Sequence, residues 1–395
     1  VVYYRDDNAN LMYSTNASGS WQITTVESGN NVGKYCNLAI DGNDGLHISY
    51  QYNSGNALKY AYKSASSSGW TKTTVDNTGG KYTSIATDSN NNPHIAYRDS
   101  GGDVGYATKS SGGSWTYGTV QSAGDIAYTS IAVDADDHVH IAYYDANNKD
   151  MYHLTNTSGS WARTFLEDLG TNTGGTALDI AIDPTTDEPG ISYFDMDATS
   201  LKYTYYTGSA WSATTVENSA DYGRFNSLIY DSVGNVHISH ERNSADDLYY
   251  TSDKTGSWVS TPVDTTNSVG TYTSIAVDSN DDLHIAYRHN SFSRTMHATV
   301  QGYKISSDAR TDVSGATCSI SPSLPYGLAL NQGTCTISGT PSFDGSNTTY
   351  NVTATSSTGV SKSGEFKMWV TPIAPSIAYT GSPFTFTVGT PISSI

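Results

Sequence analysis

The sequence predicts an all-β chain: a seven-bladed β-propeller of four-stranded blades, followed by a small C-terminal β-sandwich. Three observations predict it. A frame of about 47 residues repeats through the first three quarters of the chain. The aspartate closing one apolar run recurs at Asp41, Asp88, Asp134, Asp183, Asp231 and Asp278, in steps of 47, 46, 49, 48 and 47. A tryptophan opening another run keeps the same period at Trp21, Trp70, Trp115, Trp161, Trp211 and Trp258. Each period holds four short runs rich in β-branched and aromatic residues, separated by polar turns, and four antiparallel strands per unit describe a propeller blade. No stretch keeps a 3.6-residue apolar period for three turns, which excludes helical repeats.

In the third full unit the four runs are residues 130–134, 140–145, 151–155 and 161–166. The first run suits the strand nearest the axis. Residues 84–88, 130–134 and 274–278 alternate small Ser and Ala with Ile and Val. A strand with blades on both sides needs small or apolar groups on both faces. The tryptophan run then lies outermost, where bulky rings fill the gap between splayed blades. Val1 aligns with the His94 position, so unit one lacks its inner strand. Unit seven has residues 274–278, 284–289 and 295–300, with 303–306 the only candidate for its outer strand. The expectation is one ring over residues 1–302, the alternative an open arc cut from a longer array.

Beyond residue 302 the Trp and His periodicity stops. Alternating runs and turn signals over residues 303–371 predict a β-sandwich. Residues 372–395 read as the opening strand segment of a further module or as an inter-subunit strand, because a lone strand must bury its apolar face by pairing, here possible by strand addition to a neighbouring chain. Cys318 and Cys335 form a candidate disulfide, fitting an extracellular protein, and Cys36 stands alone in the array.

The net charge is −18, and from Tyr303 onward four acids match four bases, so the whole excess lies on the array. That makes nucleic acid an unsuitable partner and leaves cations or neutral and basic partners. No apolar run is long enough to span a bilayer. Residue 1 already lies in a strand-like run, so the chain reads as a processed protein or a fragment.

The segment Ser321-Pro-Ser-Leu-Pro-Tyr-Gly-Leu-Ala-Leu, with Cys335-Thr-Ile-Ser-Gly-Thr-Pro341 and the strand Tyr350-Asn-Val-Thr-Ala-Thr, resembles the Ig-like (cadherin-like) modules carried in tandem by bacterial and archaeal surface proteins. The cysteine pair departs from their common pattern. The Ser-Ile-Ala-Val-Asp … His-Ile-Ala-Tyr repeats resemble the sialidase-type repeats of secreted prokaryotic proteins. The resemblance implies a propeller carrying a C-terminal Ig-like β-sandwich at an extracellular or cell-surface location. It leaves function open, because the propeller hosts lectins, hydrolases, lyases and scaffolds alike.

Five histidines recur at one strand position, His47, His94, His140, His237 and His284, with Gly190 there in the fourth full unit. One histidine per blade reads as structural. The hairpins before them carry oxygens at i, i+2 and i+4: Asp88, Asn90 and Asn92, and Asp278, Asn280 and Asp282. These resemble part of a Ca²⁺ loop but lack its glycine and its closing acid, and Asx turns explain them more simply. No other cofactor is expected. Arg5, Arg98 and Arg288 follow the second run, with Arg242 read at the same place in unit six and Gln51, Tyr144 and Phe194 elsewhere. The position varies while its surroundings repeat, so it is read as facing solvent at a blade rim, and Arg5, Arg98, Tyr144 and Arg288 are the binding candidates. A closed ring would bring Arg288 near Arg5.

The function these features predict is a non-enzymatic extracellular protein for adhesion, glycan binding or surface-filament assembly, with a glycan or a neighbouring subunit as partner. The alternative is a secreted polysaccharide hydrolase or lyase. It needs acid, base and arginine converging where the repeat is broken. Arg224, His240 and Glu241 are its candidate groups, and Arg163, His153 and His289 are further breaks.

Overall fold

The computed structural model describes residues 1–300 apart from 19, 30, 170–176, 219–221, 243–245 and 267, and residues 317–370 apart from 325–327, 333–335, 340–344 and 356–360. The chain divides into two compact units, Val1–Gly302 and Tyr303–Ile395. In the first, each repeat forms one antiparallel sheet whose strands follow in chain order from the axis outward. Blades 2 to 6 (residues 32–76, 81–121, 126–168, 178–217 and 222–264) have four strands each. Blade 1 (2–27) has three, without an inner strand, and blade 7 (269–300) has its first three. The chain is thus a seven-bladed propeller. The candidate outer strand at 303–306 lies outside the described residues, as do residues 372–395.

The inner strands Val32–Ile40, Lys81–Thr87, Ile126–Val133, Leu178–Ile182, Tyr222–Tyr230 and Val269–Val277 lie side by side around the axis. Their small polar residues join them. Asn37 Oδ1 accepts from Ile85 N (3.2 Å), Ser84 Oγ from Ile131 N (3.3 Å), Ser130 Oγ from Ile180 N (3.3 Å), Asp179 Oδ2 from Leu228 N (2.9 Å) and Ser227 Oγ from Ile275 N (3.2 Å). The serines read as small spacers are therefore also the ties from blade to blade.

The core lies between blades. Six apolar clusters each join two consecutive blades. One sets Ala96 and Val104 of blade 3 against Ile131, Ile141, Tyr143 and Leu154 of blade 4. Each such aliphatic side chain contributes about 1.5–3 kcal/mol on burial, against about 0–1 for an exposed ion pair, so packing between blades dominates. Farther out, a third-strand ring of each blade meets the next blade's tryptophan: Tyr13–Trp70 at 5.4 Å, Tyr60–Trp115 at 4.9 Å, Tyr106–Trp161 at 5.0 Å, His153–Trp211 at 4.9 Å and Tyr203–Trp258 at 5.6 Å. His297 of blade 7 repeats this contact with Trp21 of blade 1 at 5.1 Å, and Arg288 pairs with Asp6 at 3.2 Å. Blade 7 therefore meets blade 1, and Arg288 and Arg5 lie at one junction.

In the second unit, Thr317–Ser321, Gly345–Thr355 and Ser361–Val370 form a sheet, and Leu328–Asn331 pairs with Thr336–Gly339. Cys318 is disulfide-bonded and Cys36 is free. Cys335, the expected partner, lies outside the described residues. Among the described residues no helix is long and apolar enough to cross a membrane.

Candidate functional site

The repeated histidines each bridge two groups of their own blade. His47 Nε2 lies 2.9 Å from Asp41, and His140 Nε2 3.1 Å from Asp134. On the other ring nitrogen, Tyr60 Oη lies 2.7 Å from His47, Tyr250 Oη 2.6 Å from His237 and His153 Nε2 3.0 Å from His140. Burial holds His47, His94, His140 and His237 below the ordinary imidazole range, opposed by the aspartate beside each. At Gly190 of blade 5 the place of the imidazole is filled by the hydroxyls of Tyr203 and of Tyr230 from blade 6, 2.5 Å apart. The histidine relays tie the first hairpin of blades 2, 3, 4, 6 and 7.

The same hairpins hold the Ca²⁺ candidates. Asp88 Oδ1 accepts from the backbone N–H of Asn90 (3.0 Å) and Asn92 (2.7 Å), and Asp278 Oδ1 from Asn280 (2.8 Å) and Asp282 (3.0 Å). They are Asx turns whose carboxylates are engaged by their own backbone. Among the described residues no group of three His, Cys, Asp or Glu side chains is placed to hold a metal ion.

The variable position after the second run differs from its reading as a solvent-facing site. Tyr144 is 5% exposed, and Gln51, Phe194 and Glu241 are likewise buried. The cause is packing on both faces of the blade: Tyr144 sits with Met151, Leu169 and Leu178 between blades 4 and 5. Only the arginines reach outward, their stems lying along the blade. Arg98 pairs with Asp125 (2.5 Å), Arg5 with Asp7 (2.9 Å) and Arg288 with Asp6. The ladder also moves Arg242 off this position. Glu241 pairs with Arg224 as Arg98 pairs with Lys81 and Arg288 with Thr271.

Arg224, His240 and Glu241 thus share blade 6, but inside it. His240 is fully buried and Glu241 is 2% exposed. His240 lies 2.8 Å from Thr251 Oγ1 and stacks on Tyr249, while the Arg224 guanidinium lies 5.7 Å over Phe194 of blade 5. His240 occupies the place of a recurring buried tyrosine. Tyr97 and Tyr287 at that place donate to Asp76 (2.9 Å) and Asp264 (2.7 Å) of the preceding blade, and Tyr50 and Tyr193 donate to Glu27 and Glu167. Burial pushes the His240 imidazole down to about 4, so it is neutral at neutral pH.

Sequence reasoning missed a different constellation. Near the start of the inner strands the ladder register shifts, and the first residue left out of the pairing at that shift is Tyr35, Tyr82, Tyr128, Phe225 and Tyr272 in blades 2, 3, 4, 6 and 7. All five are left-handed, with φ of 52°, 51°, 62°, 49° and 51°. That conformation costs about 1–2 kcal/mol for a bulky L-residue, and a bulge of this kind re-aims the side chain. Ring centroids are 4.7 Å apart for Tyr35–Tyr82, 5.1 Å for Tyr82–Tyr128 and 4.7 Å for Phe225–Tyr272. Tyr272 also lies close enough to Tyr35 and Tyr128 to raise both hydroxyls' pKa, so the rings converge on the axis. Burial and Tyr82 push the Tyr35 hydroxyl up to about 12, which keeps it a hydrogen-bond donor. Tyr272 is 66% exposed and Tyr35 41%. The corresponding position in blade 5 is Ala177. The signal was an aromatic six residues before each closing aspartate.

Residues 284–371 match the family described as "Putative Ig domain"; of these, 284–300 lie in blade 7. No curated protein sequence matches the chain. Among solved structures, the chain is similar to a polysaccharide lyase, an ulvan lyase bound to -[GlcA(1-4)Rha3S]-, at 16% identity and TM-score 0.51, covering 76% of this chain and 88% of that one. It is similar to the Aleuria aurantia lectin in complex with Fucα1-6GlcNAc at 13% identity and TM-score 0.50, covering 68% and 92%. AofleA from Arthrobotrys oligospora matches at 11% identity and TM-score 0.50, covering 67% and 82%. At these identities the likeness is one of fold.

Proposed function

We propose that the chain is an extracellular glycan-binding protein without catalytic activity, its propeller acting as the binding head and its Ig-like unit as the carrier. The observation that carries this reading is the axial collar of five aromatic residues, each held in a costly left-handed bulge. Strain repeated at one structural position and directed to one end of the ring is what a binding platform requires, and flat rings flanked by hydroxyls suit the faces of sugars. The shared fold with a fucoside-bound lectin and a glycan-bound lyase supports the class of ligand, and the disulfide at Cys318 supports the compartment. The hydrolase or lyase alternative relies on Arg224, His240 and Glu241, and the burial of the last two counts against it. Subunit joining through residues 372–395 is a separate proposal, tested by comparing the assembly state with and without them.

The test is a glycan array with the full chain and Tyr272→Ala. Tyr272 is exposed, so its removal spares the core. The expected result is binding by the parent chain and a loss of about fivefold to a hundredfold in the variant, taking about 1–3 kcal/mol for one ring stacked on a sugar. Binding that Tyr272→Ala leaves untouched would move the site away from the collar.

A further inference from the structure

The residue just before each collar aromatic sits where the inner strand still pairs with its neighbour. In three blades it is a base: Lys34 before Tyr35, Lys81 before Tyr82 and Arg224 before Phe225. Blades 4 and 7 carry Ala127 and Thr271. Lys81 lies directly opposite Arg98 in the ladder. Like charges opposed across a ladder destabilise it, so their retention here needs a reason. The arginines are neutralised, Arg98 by Asp125 and Arg288 by Asp6. The two lysines are not. Among the described residues Lys81 is exposed and forms no ion pair, and the Lys34 ammonium lies 5.6 Å over the Tyr4 ring with no carboxylate beside it. The chain carries 38 acids against 20 bases, so two unneutralised lysines beside adjacent collar rings form a local exception. Asp41 and Asp88, which close these two inner strands, lie at the opposite end; at the collar end Asp99 and Asp103 are engaged by backbone N–H groups, Asp125 by Arg98 and Asp6 by Arg288.

We infer that the collar face selects an acidic sugar: a pyranose stacked against the collar rings, with its carboxylate or sulfate ester held by Lys34 and Lys81. This deepens the glycan-binding reading and rests on it. A cationic ligand would meet two ammonium groups, and a neutral sugar would leave them unused. The net charge of −18 does not oppose the contact, since at physiological salt its field is screened beyond about 8 Å, while the lysines act at contact distance.

Calorimetric titration of the full chain with a tetramer of galacturonic acid and with its methyl ester separates charge from ring stacking. A sulfated galactan oligomer supplies a third arm. The acid tetramer or the sulfated oligomer should bind about tenfold or more tighter than the ester, and whichever binds identifies the group. Lys34→Gln and Lys81→Gln should each weaken acid binding about three- to fivefold, in the range of one exposed charge pair, and leave the ester unchanged. Circular dichroism of both variants checks that they fold. If neither the acid tetramer nor the sulfated oligomer binds more tightly than the ester, or if the lysine variants keep full affinity for the acidic ligand that binds, this inference is overturned, and the glycan-binding head still stands if Tyr272→Ala weakens binding. If no glycan binds, both readings fall.

Discussion

His153 shows how one residue couples this fold to pH. It is 5% exposed and lies 3.0 Å from His140 Nδ1. Burial, then the neighbouring imidazole, pushes it down to about 3. The unfolded chain therefore takes up a proton near pH 6.5 that the folded chain refuses, so stability is lost as pH falls from about 6.5 toward 3. His240, lowered to about 4, acts in the same direction. In blades 2, 3 and 6 the place of His153 is taken by Tyr60, Tyr106 and Tyr250, each bonded to its own histidine. Tyrosine does not titrate in this window. His153→Tyr should keep the relay and remove on the order of 2–3 kcal/mol of the stability difference between pH 7 and pH 4, as read by urea denaturation at the two values. An unchanged difference would mean that His153 is already solvated.

At the scale of the element, the entry into the inner strand decides how closely blades approach. Gly80 has φ of 110°, and a Cβ there would lie 2.7 Å from the Leu58 Cα in the preceding blade. Gly33, Gly223 and Gly270 repeat this conformation. Gly80→Ala should cost about 2–4 kcal/mol, combining overpacking against backbone with left-handed strain, while Gly112→Ala, at φ of 70° in open space, should cost only about 1. Thermal denaturation of the pair separates the two effects, and equal losses would remove the close approach from the account. The 47-residue frame and the alternation of small with β-branched residues made the blades legible in sequence. The collar was less legible. Tyr35, Tyr82, Tyr128 and Tyr272 recur visibly, but a bulge breaks the period of two on which side-chain direction is read. Tyr144 was misjudged because variation was taken for exposure, whereas it packs between two blades. His240 looked like a break in the repeat, yet it fills a tyrosine's place in the inter-blade core.

For the whole molecule the decisive question is how the ring closes. Apolar clusters among the described residues bridge six of the seven blade junctions. The seventh is held by the Trp21–His297 contact and by the Arg288–Asp6 pair, whose members are both exposed. The ion pair is worth little in water, so the aromatic contact, at about 0.5–1.5 kcal/mol, carries more of the junction. A ring opens where it is weakest, and local opening free energies set amide exchange. Trp21→Ala should therefore speed exchange about three- to tenfold in residues 2–27 and 269–300 and leave residues 126–168 protected. Trp161→Ala removes the equivalent contact from a junction that also holds an apolar cluster, so blades 3 and 4 should stay closed despite its loss. Exchange that Trp21→Ala leaves unaltered would mean that blades 1 and 7 do not hold one another in solution. The collar rings of Tyr35 and Tyr272 would then lose the fixed spacing on which a shared ligand depends.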